Sequence, residues 1–248
     1  TLLKRVSAAL EPTGISWRLL FVDDSDDNTP AVISSLADRY PVEMLHRPAG
    51  HRGGGLSGAL TLAIRSVDTP VYAVIDADLQ HPPELLPDLV QPILAGEADV
   101  VAGSRYVEGG SASGLTGTYR RLVSRGSILV VQVMFPRLRA IKDSGGNFFA
   151  VRTSVTADAD LRPEGFKMLV EILVRGSWHT IVELPYDFAG RAEGKSTVTL
   201  KVGVYFLRHV GRLWLETTGP AWARRFGRPN PAHPDGPVLL IDDPAFAE

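Results

Sequence analysis

Short apolar runs that stop abruptly on acidic residues constrain this chain more than any other feature it has. Trp17–Val22 runs into Asp23-Asp24, and Val71–Ile75 runs into Asp76-Ala77-Asp78. Both runs are strand-length and rich in Val, Ile and Leu, the composition of a strand buried on both faces. Further runs at Val42–His46, Asp99–Gly103, Asn147–Val151 and His179–Pro185 also read as strands. Segments of helical period separate them: Pro30–Arg39, Leu56–Val67, a helix opened by Pro82 and Pro83, Tyr119–Phe135 and Gly165–Gly176. This alternation predicts a Rossmann-like α/β domain with a mixed, mainly parallel sheet covered on both faces. Strands of such a sheet carry the residues after them to one edge, where open α/β sheets bind ligands.

A chain of 248 residues is long enough for one such domain and an appendage. Its net charge of −2 gives no basic face for nucleic acid. With no cysteine, disulfides, thiolate catalysis and cysteine-bound metals are excluded, and a reducing, cytoplasmic setting is expected. No apolar run approaches the roughly 20 residues that a membrane-spanning helix needs. The chain opens at Thr1 directly into a helical pattern (Leu2, Leu3, Val6, Ala9, Leu10), whereas a domain of this kind normally opens on a buried strand; the sequence reads as missing its first strand. Three regions follow: a catalytic domain over 1–198, an amphipathic helix over 199–218, and a poorly ordered tail over 219–248 that is rich in Pro, Asp and Ala.

Asp76 and Asp78, one residue apart after an apolar strand, would point the same way along an extended chain and reach one hard divalent cation. Gln80 continues that alternation with a carbonyl oxygen. The plainer reading makes Asp78 a helix cap and Asp76 a turn residue. Asp23 and Asp24 lie at the same edge, where carboxylates accept hydrogen bonds from a nucleotide base or ribose; otherwise they are solvated turn residues. Arg105 leaves the fourth strand, and Arg120, Arg121, Ser124 and Arg125 form two basic stripes at four-residue spacing on one helix. Guanidinium forks suit phosphate oxygens. That helix continues into Ile128, Leu129, Val130 and Val131, so a basic head stands beside an apolar stretch, as a phosphate on a lipid tail requires.

Asp76-Ala-Asp-Leu-Gln-His-Pro-Pro-Glu84, Gly103-Ser-Arg-Tyr-Val-Glu-Gly-Gly110, Ile141-Lys-Asp143 with Phe148-Phe149-Ala150, and Gly165 to Gly176 follow one another in an order that resembles the dolichol-phosphate mannose synthases, inverting GT-A glycosyltransferases of family 2. The resemblance runs from about Trp17 to Leu213. It implies a GT-A fold, a nucleotide-sugar donor (GDP-mannose), a polyprenyl-phosphate acceptor and a divalent metal, Mg²⁺ or Mn²⁺, on Asp76, Asp78 and Gln80. It implies that Arg105 contacts the donor, that Arg120, Ser124 and Arg121 hold the acceptor phosphate, and that Asp143 orients the acceptor. Phe188 to Ser196 resembles the family's Arg-x-x-Gly-x-Ser loop, whose arginine, here Arg191, reaches the diphosphate; Thr197 stands where the family pattern has lysine. Gly146 and Asn147 stand where the pattern has serine and glycine, which puts contacts to the sugar or acceptor in question. Another sugar nucleotide such as UDP-glucose, or a non-catalytic sugar-nucleotide or phospholipid-binding module, remains an alternative. A lipid acceptor implies work at the cytoplasmic face of a membrane, reached through the helix from Leu200, the tail residues Trp222 to Arg228, or an anchoring partner subunit.

Overall fold

A computed structural model of the chain describes residues 1–115, 117–162, 167–190, 200–218 and 238–241. Seven strands form one sheet: β1 (Trp17–Asp23), β2 (Val42–His46), β3 (Val71–Val74), β4 (Val100–Ser104), β5 (Phe149–Arg152), β6 (Ile181–Pro185) and β7 (Val238–Ile241), in the order β2-β1-β7-β3-β5-β4-β6. The helices are α1 (Leu2–Leu10), α2 (Thr29–Ser34), α3 (Gly55–Arg65), α4 (Leu86–Leu94), α5 (Thr118–Met134), α6 (Met168–Arg175) and α7 (Leu200–Thr217).

Alternation along each strand divides the core into two layers. Leu20, Val22, Tyr72, Val74, Val100, Ala102, Phe149 and Val151 face one side, against residues of α3, α5, α6 and α7. Trp17, Leu19, Val71, Ala73, Val101, Phe148 and Ala150 face the other, against α1 and α4. The three-layer arrangement predicted from the sequence is present. α7 is part of it: Phe206, Val210 and Leu213 are buried in the first layer. Burying side chains of this size stabilises a fold by roughly 1.5–3 kcal/mol each, so α7 is a packed element of the domain on its inner face.

Strand direction fixes where the chemistry can sit. β1 is parallel to β2, and β4 to β6, while β5 and β7 are antiparallel to each neighbour with which they pair. It follows that β1, β2, β3, β4 and β6 all run the same way. Their carboxyl ends, with the residues leading into β5, share one edge. The strand β7 corrects the expectation for the tail. Val238–Ile241, expected to be unstructured, is hydrogen-bonded between β1 and β3. Its Val-Leu-Leu-Ile sequence has the β-propensity of an interior strand, but the Pro- and Asp-rich residues around it masked so short a run.

Candidate active site

The strand β3 ends at Val74, and residues 77–79 then form a turn, so Asp76 and Asp78 are not carried on the extended chain that the alternation argument assumed. Asp78 Oδ1 accepts the N–H of Gln80 at 3.2 Å, and Leu79 between them adopts a φ of 59°. A left-handed leucine costs of order 1–3 kcal/mol and persists where surroundings over-determine it, typically at functional sites. Both carboxylates remain partly exposed. The Asp76 N–H is held at 3.3 Å by Nδ1 of His81, a buried ring stacked on Phe148 at 5.1 Å. Burial, with the charge of Arg105 second, pushes His81 down to about 3, so it is a neutral ring whose proton sits on Nε2. His81 therefore fixes the start of the acidic turn without carrying charge.

Gln80 has another partner. It is buried, and its side-chain amide donates to the carbonyl of Ala189 at 2.9 Å, while the Ala189 N–H returns a bond to the Gln80 carbonyl at 3.1 Å. Ser111 and Gly114 pair with Tyr186 and Phe188 in the same segment. At Gly114 the backbone of Phe188 and Ala189 approaches so closely that no Cβ fits. The acidic turn, Ser111 and Gly114 thus pin the chain up to Ala189. Arg191 itself, together with the loop to 199, lies outside the described residues, as do the tail residues Trp222 to Arg228.

Three residues expected to touch substrate are buried or nearly so and engaged within the protein. Asp143, expected to orient the acceptor, is 0% exposed and fully engaged. Its oxygens accept Nε and Nη2 of Arg105 at 2.7 and 2.8 Å and the Arg105 N–H at 3.0 Å. The Lys142 and Asp143 N–H groups bond the Glu183 carboxylate at 2.8 Å. Arg105, expected on the donor, spends this fork on Asp143 and lies beside the rings of Tyr106 and Phe188. Burial opposes the charge on Arg105, but Asp143 outweighs it and holds the group above the ordinary arginine range. Asp24, expected on the nucleotide, is likewise buried and gives both oxygens to the fork of Arg47 at 2.8 Å. Asp23 accepts Ser25 Oγ at 3.0 Å and lies 2.8 Å from His46 Nδ1. The sequence reading passed over His46, Arg47, Tyr106 and Lys167. The signal for the first two was available, since parallel pairing sets Asp23 beside His46.

The acceptor residues lie at the start of α5. Its N-cap is Gly117, with a φ of 88°, and its first turn carries no acid. A helix N-terminus of this length favours an anion through its exposed N–H groups. Ser124 Oγ receives the Tyr106 hydroxyl at 2.8 Å, Arg125 lies over the Tyr106 ring at 5.6 Å, and Arg121 is exposed. Arg120 is partly buried on the same face as Ser124. Leu122, Leu129 and Val133, at i, i+7 and i+11, are 70%, 60% and 65% exposed. Of the apolar stretch read from the sequence, Leu129 and Val133 are exposed, whereas Ile128 and Val131 turn into the core.

For a metal, the donor set decides. Among the described residues no three His, Cys, Asp or Glu side chains gather into a cation site. Asp76 and Asp78 supply two partly exposed hard oxygens on one turn. That pair suits a Mg²⁺-type ion that completes its shell with water and substrate phosphate rather than an all-protein cage. Elsewhere, Ser144 Oγ, Asn147 Oδ1 and the Tyr186 hydroxyl are buried with no hydrogen-bond partner among the described residues.

A mixed α/β sheet with an acidic turn and a basic helix start at one edge is consistent with the GT-A fold that the sequence resemblance implies. The fold agrees: the crystal structure of glucosyl-3-phosphoglycerate synthase from Mycobacterium tuberculosis with Mn²⁺, UDP-glucose and phosphoglyceric acid superposes with a TM-score of 0.61, at 18% identity, over 88% of this chain and 75% of that one. The chain belongs to glycosyltransferase family 2, whose model matches residues 1–172. It is 39% identical to the dolichol-phosphate mannosyltransferase of Pyrococcus furiosus over 86% of this chain, and spans 58% of that protein's length. It is 28% identical to the dolichol-phosphate mannosyltransferase of Saccharomyces cerevisiae over 79% of this chain and 74% of that protein.

Proposed function

We propose that the chain transfers mannose from GDP-mannose to a polyprenyl phosphate, with inversion at the anomeric carbon and with a divalent metal. The observation that carries this reading is the placement, at one sheet edge, of the Asp76–Asp78 turn and the segment leading to Arg191, together with a basic α5 start that continues into an exposed apolar stripe. Mannose and the dolichol-type acceptor are supported by the mannosyltransferase relatives, and the guanine nucleotide by the sequence resemblance.

Asp76 and Asp78 would hold the metal, which supplies Lewis-acid neutralisation of the departing diphosphate. Gln80 anchors the Ala189 segment beside the acidic turn, and Arg191, two residues further on in the sequence, would meet the departing diphosphate. Arg120, Ser124 and the α5 N-terminus fix the acceptor phosphate. That monoester is largely dianionic near neutral pH, so its oxygen forms the new bond to the anomeric carbon while the bond to the diphosphate breaks and its electron pair leaves with GDP. No proton need be removed, which agrees with Asp143 being buried against Arg105. Asp143 and Asp24 act as positioning groups, for Arg105 and Arg47. The protein's contribution is alignment and charge. Product formation from labelled GDP-mannose and a short polyprenyl phosphate, with UDP-glucose in parallel, tests the assignment; it is wrong if neither the lipid nor the donor is consumed.

No helix among the described residues is long and apolar enough to cross a membrane. The exposed Leu122, Leu129 and Val133 of α5, and Val204, Tyr205 and Leu207 of α7, instead suit an interfacial footing on anionic lipid. Flotation with anionic vesicles is expected to carry the protein up, less at high salt. Leu129→Glu/Val133→Glu should lower the bound fraction about tenfold or more, the order of removing two buried apolar side chains. Unchanged flotation of that variant would reject α5 as the footing.

A further inference from the structure

We propose that Lys167 is a positioning residue of the acceptor-phosphate site, lending charge and a fixed hydrogen bond to the α5 face that carries Arg120 and Ser124. This rests on the function proposed above and extends it to a residue outside the expected phosphate ligands.

The argument starts from helix geometry. Residues 120, 124 and 127 fall at i, i+4 and i+7, one face of α5. Ser124 at the middle of that row receives the Tyr106 hydroxyl. Ser127, one turn on, receives the Lys167 ammonium at 2.8 Å. A phosphate held by Arg120 and Ser124 therefore lies about one helical turn from the serine to which the Lys167 ammonium donates. Lys167 is also tied to the outer layer, because its ammonium lies 4.8 Å from the ring of Phe206 on α7. Room for it comes from Gly145, where any Cβ would collide with Nζ. One side chain thus joins the acceptor helix, the packed amphipathic helix and the loop holding Asp143.

The charges around Lys167 make its ionisation responsive to an anion. Burial, then the Arg105 guanidinium, push it down to about 8, with Asp143 opposing. Glu183 is turned to the backbone of Lys142 and Asp143, and α7 presents the Phe206 ring. A phosphate dianion arriving on the same face favours the charged form. The ammonium is therefore present below about pH 8 and lost above it, and acceptor affinity follows that sign.

Steady-state transfer from GDP-mannose to farnesyl phosphate, across about pH 6.5 to 9.5, tests this on the full chain. Lys167→Met is expected to raise KM for farnesyl phosphate about tenfold at neutral pH, the order of one charge-assisted contact, with KM for GDP-mannose within about twofold. The wild-type rise in acceptor KM above about pH 8 should vanish in this variant. Lys167→Arg should recover low KM and carry it to higher pH. An acceptor KM in Lys167→Met within about twofold of wild type, or an equal rise for both substrates with a lowered melting temperature, overturns the proposal. If the wild type forms no product, the proposed function fails. Calorimetric binding of farnesyl phosphate against farnesol then decides Lys167 separately: a phosphate preference that disappears in Lys167→Met supports the inference, and one that survives overturns it.

Discussion

Replacing Asp78 by alanine is expected to lower kcat/KM for sugar transfer on the order of 10³-fold, equivalent to about 4 kcal/mol of transition-state stabilisation, while the fold survives. The two halves of that expectation have different causes. Asp78 is one of two acidic oxygen donors on the turn, and no described third acid stands ready to replace it. The charge it helps hold would neutralise a diphosphate as it departs, which is where charge develops most. One structural bond it makes, by contrast, is local: it accepts the N–H of Gln80 two residues on. Losing such a turn bond costs about 1 kcal/mol. Part of even that should return through Leu79, whose left-handed φ of 59° relaxes once the turn is no longer tied. The measurements are kcat/KM with saturating Mn²⁺, Mn²⁺ affinity by electron paramagnetic resonance, and a thermal melt. Metal-dependent turnover within threefold of wild type would remove Asp78 from the metal site. A collapse of the melt would instead make the turn a structural element.

What the sequence disclosed and what it hid divide along a physical line. Strand identity and edge placement are local properties. Val42–His46 was readable from its own residues, and Asp76-Ala-Asp after Val74 was readable as lying at an edge because strands deliver their successors there. Pairings across the edge are set by register and loop closure, on which local pattern is silent. Asp24 and Arg47 stand 23 residues apart and meet because β1 and β2 are parallel in that register. Asp143 and Arg105, separately legible as site residues, stand 38 apart and proved to be each other's partners. The same limit concealed β7, since a four-residue apolar run gains meaning only from the gap between β1 and β3 that it fills. α7 shows the opposite case. Its amphipathic period was clear, and the packing reading holds for one face, where Phe206 and Val210 are buried, while Val204 and Leu207 are exposed on the other.

Asp143→Ala is expected to cost about 3–5 kcal/mol in unfolding free energy, the largest stability effect among the site residues. Asp143 and Arg105 form a buried ion pair with two side-chain hydrogen bonds and a third from the Arg105 backbone. Removing the carboxylate leaves a buried guanidinium beside the rings of Tyr106 and Phe188, its desolvation no longer offset by that carboxylate. Asp143→Asn keeps acceptor oxygen but not charge, and should fall between alanine and wild type. The double variant Asp143→Leu/Arg105→Met should recover much of the loss, because an apolar pair of similar volume needs no desolvation of charge. Activity separates stability from function in the same series. If Asp143 acts by aiming Arg105, the recovered double variant folds well and transfers poorly, with the defect no larger than that of Arg105→Met alone. Denaturant melts and steady-state rates on the four variants and the wild type supply both readings. A loss below about 1 kcal/mol in Asp143→Ala would show that the pair is not what holds this corner of the site. Full activity in that variant would show that Arg105 needs no partner to do its work.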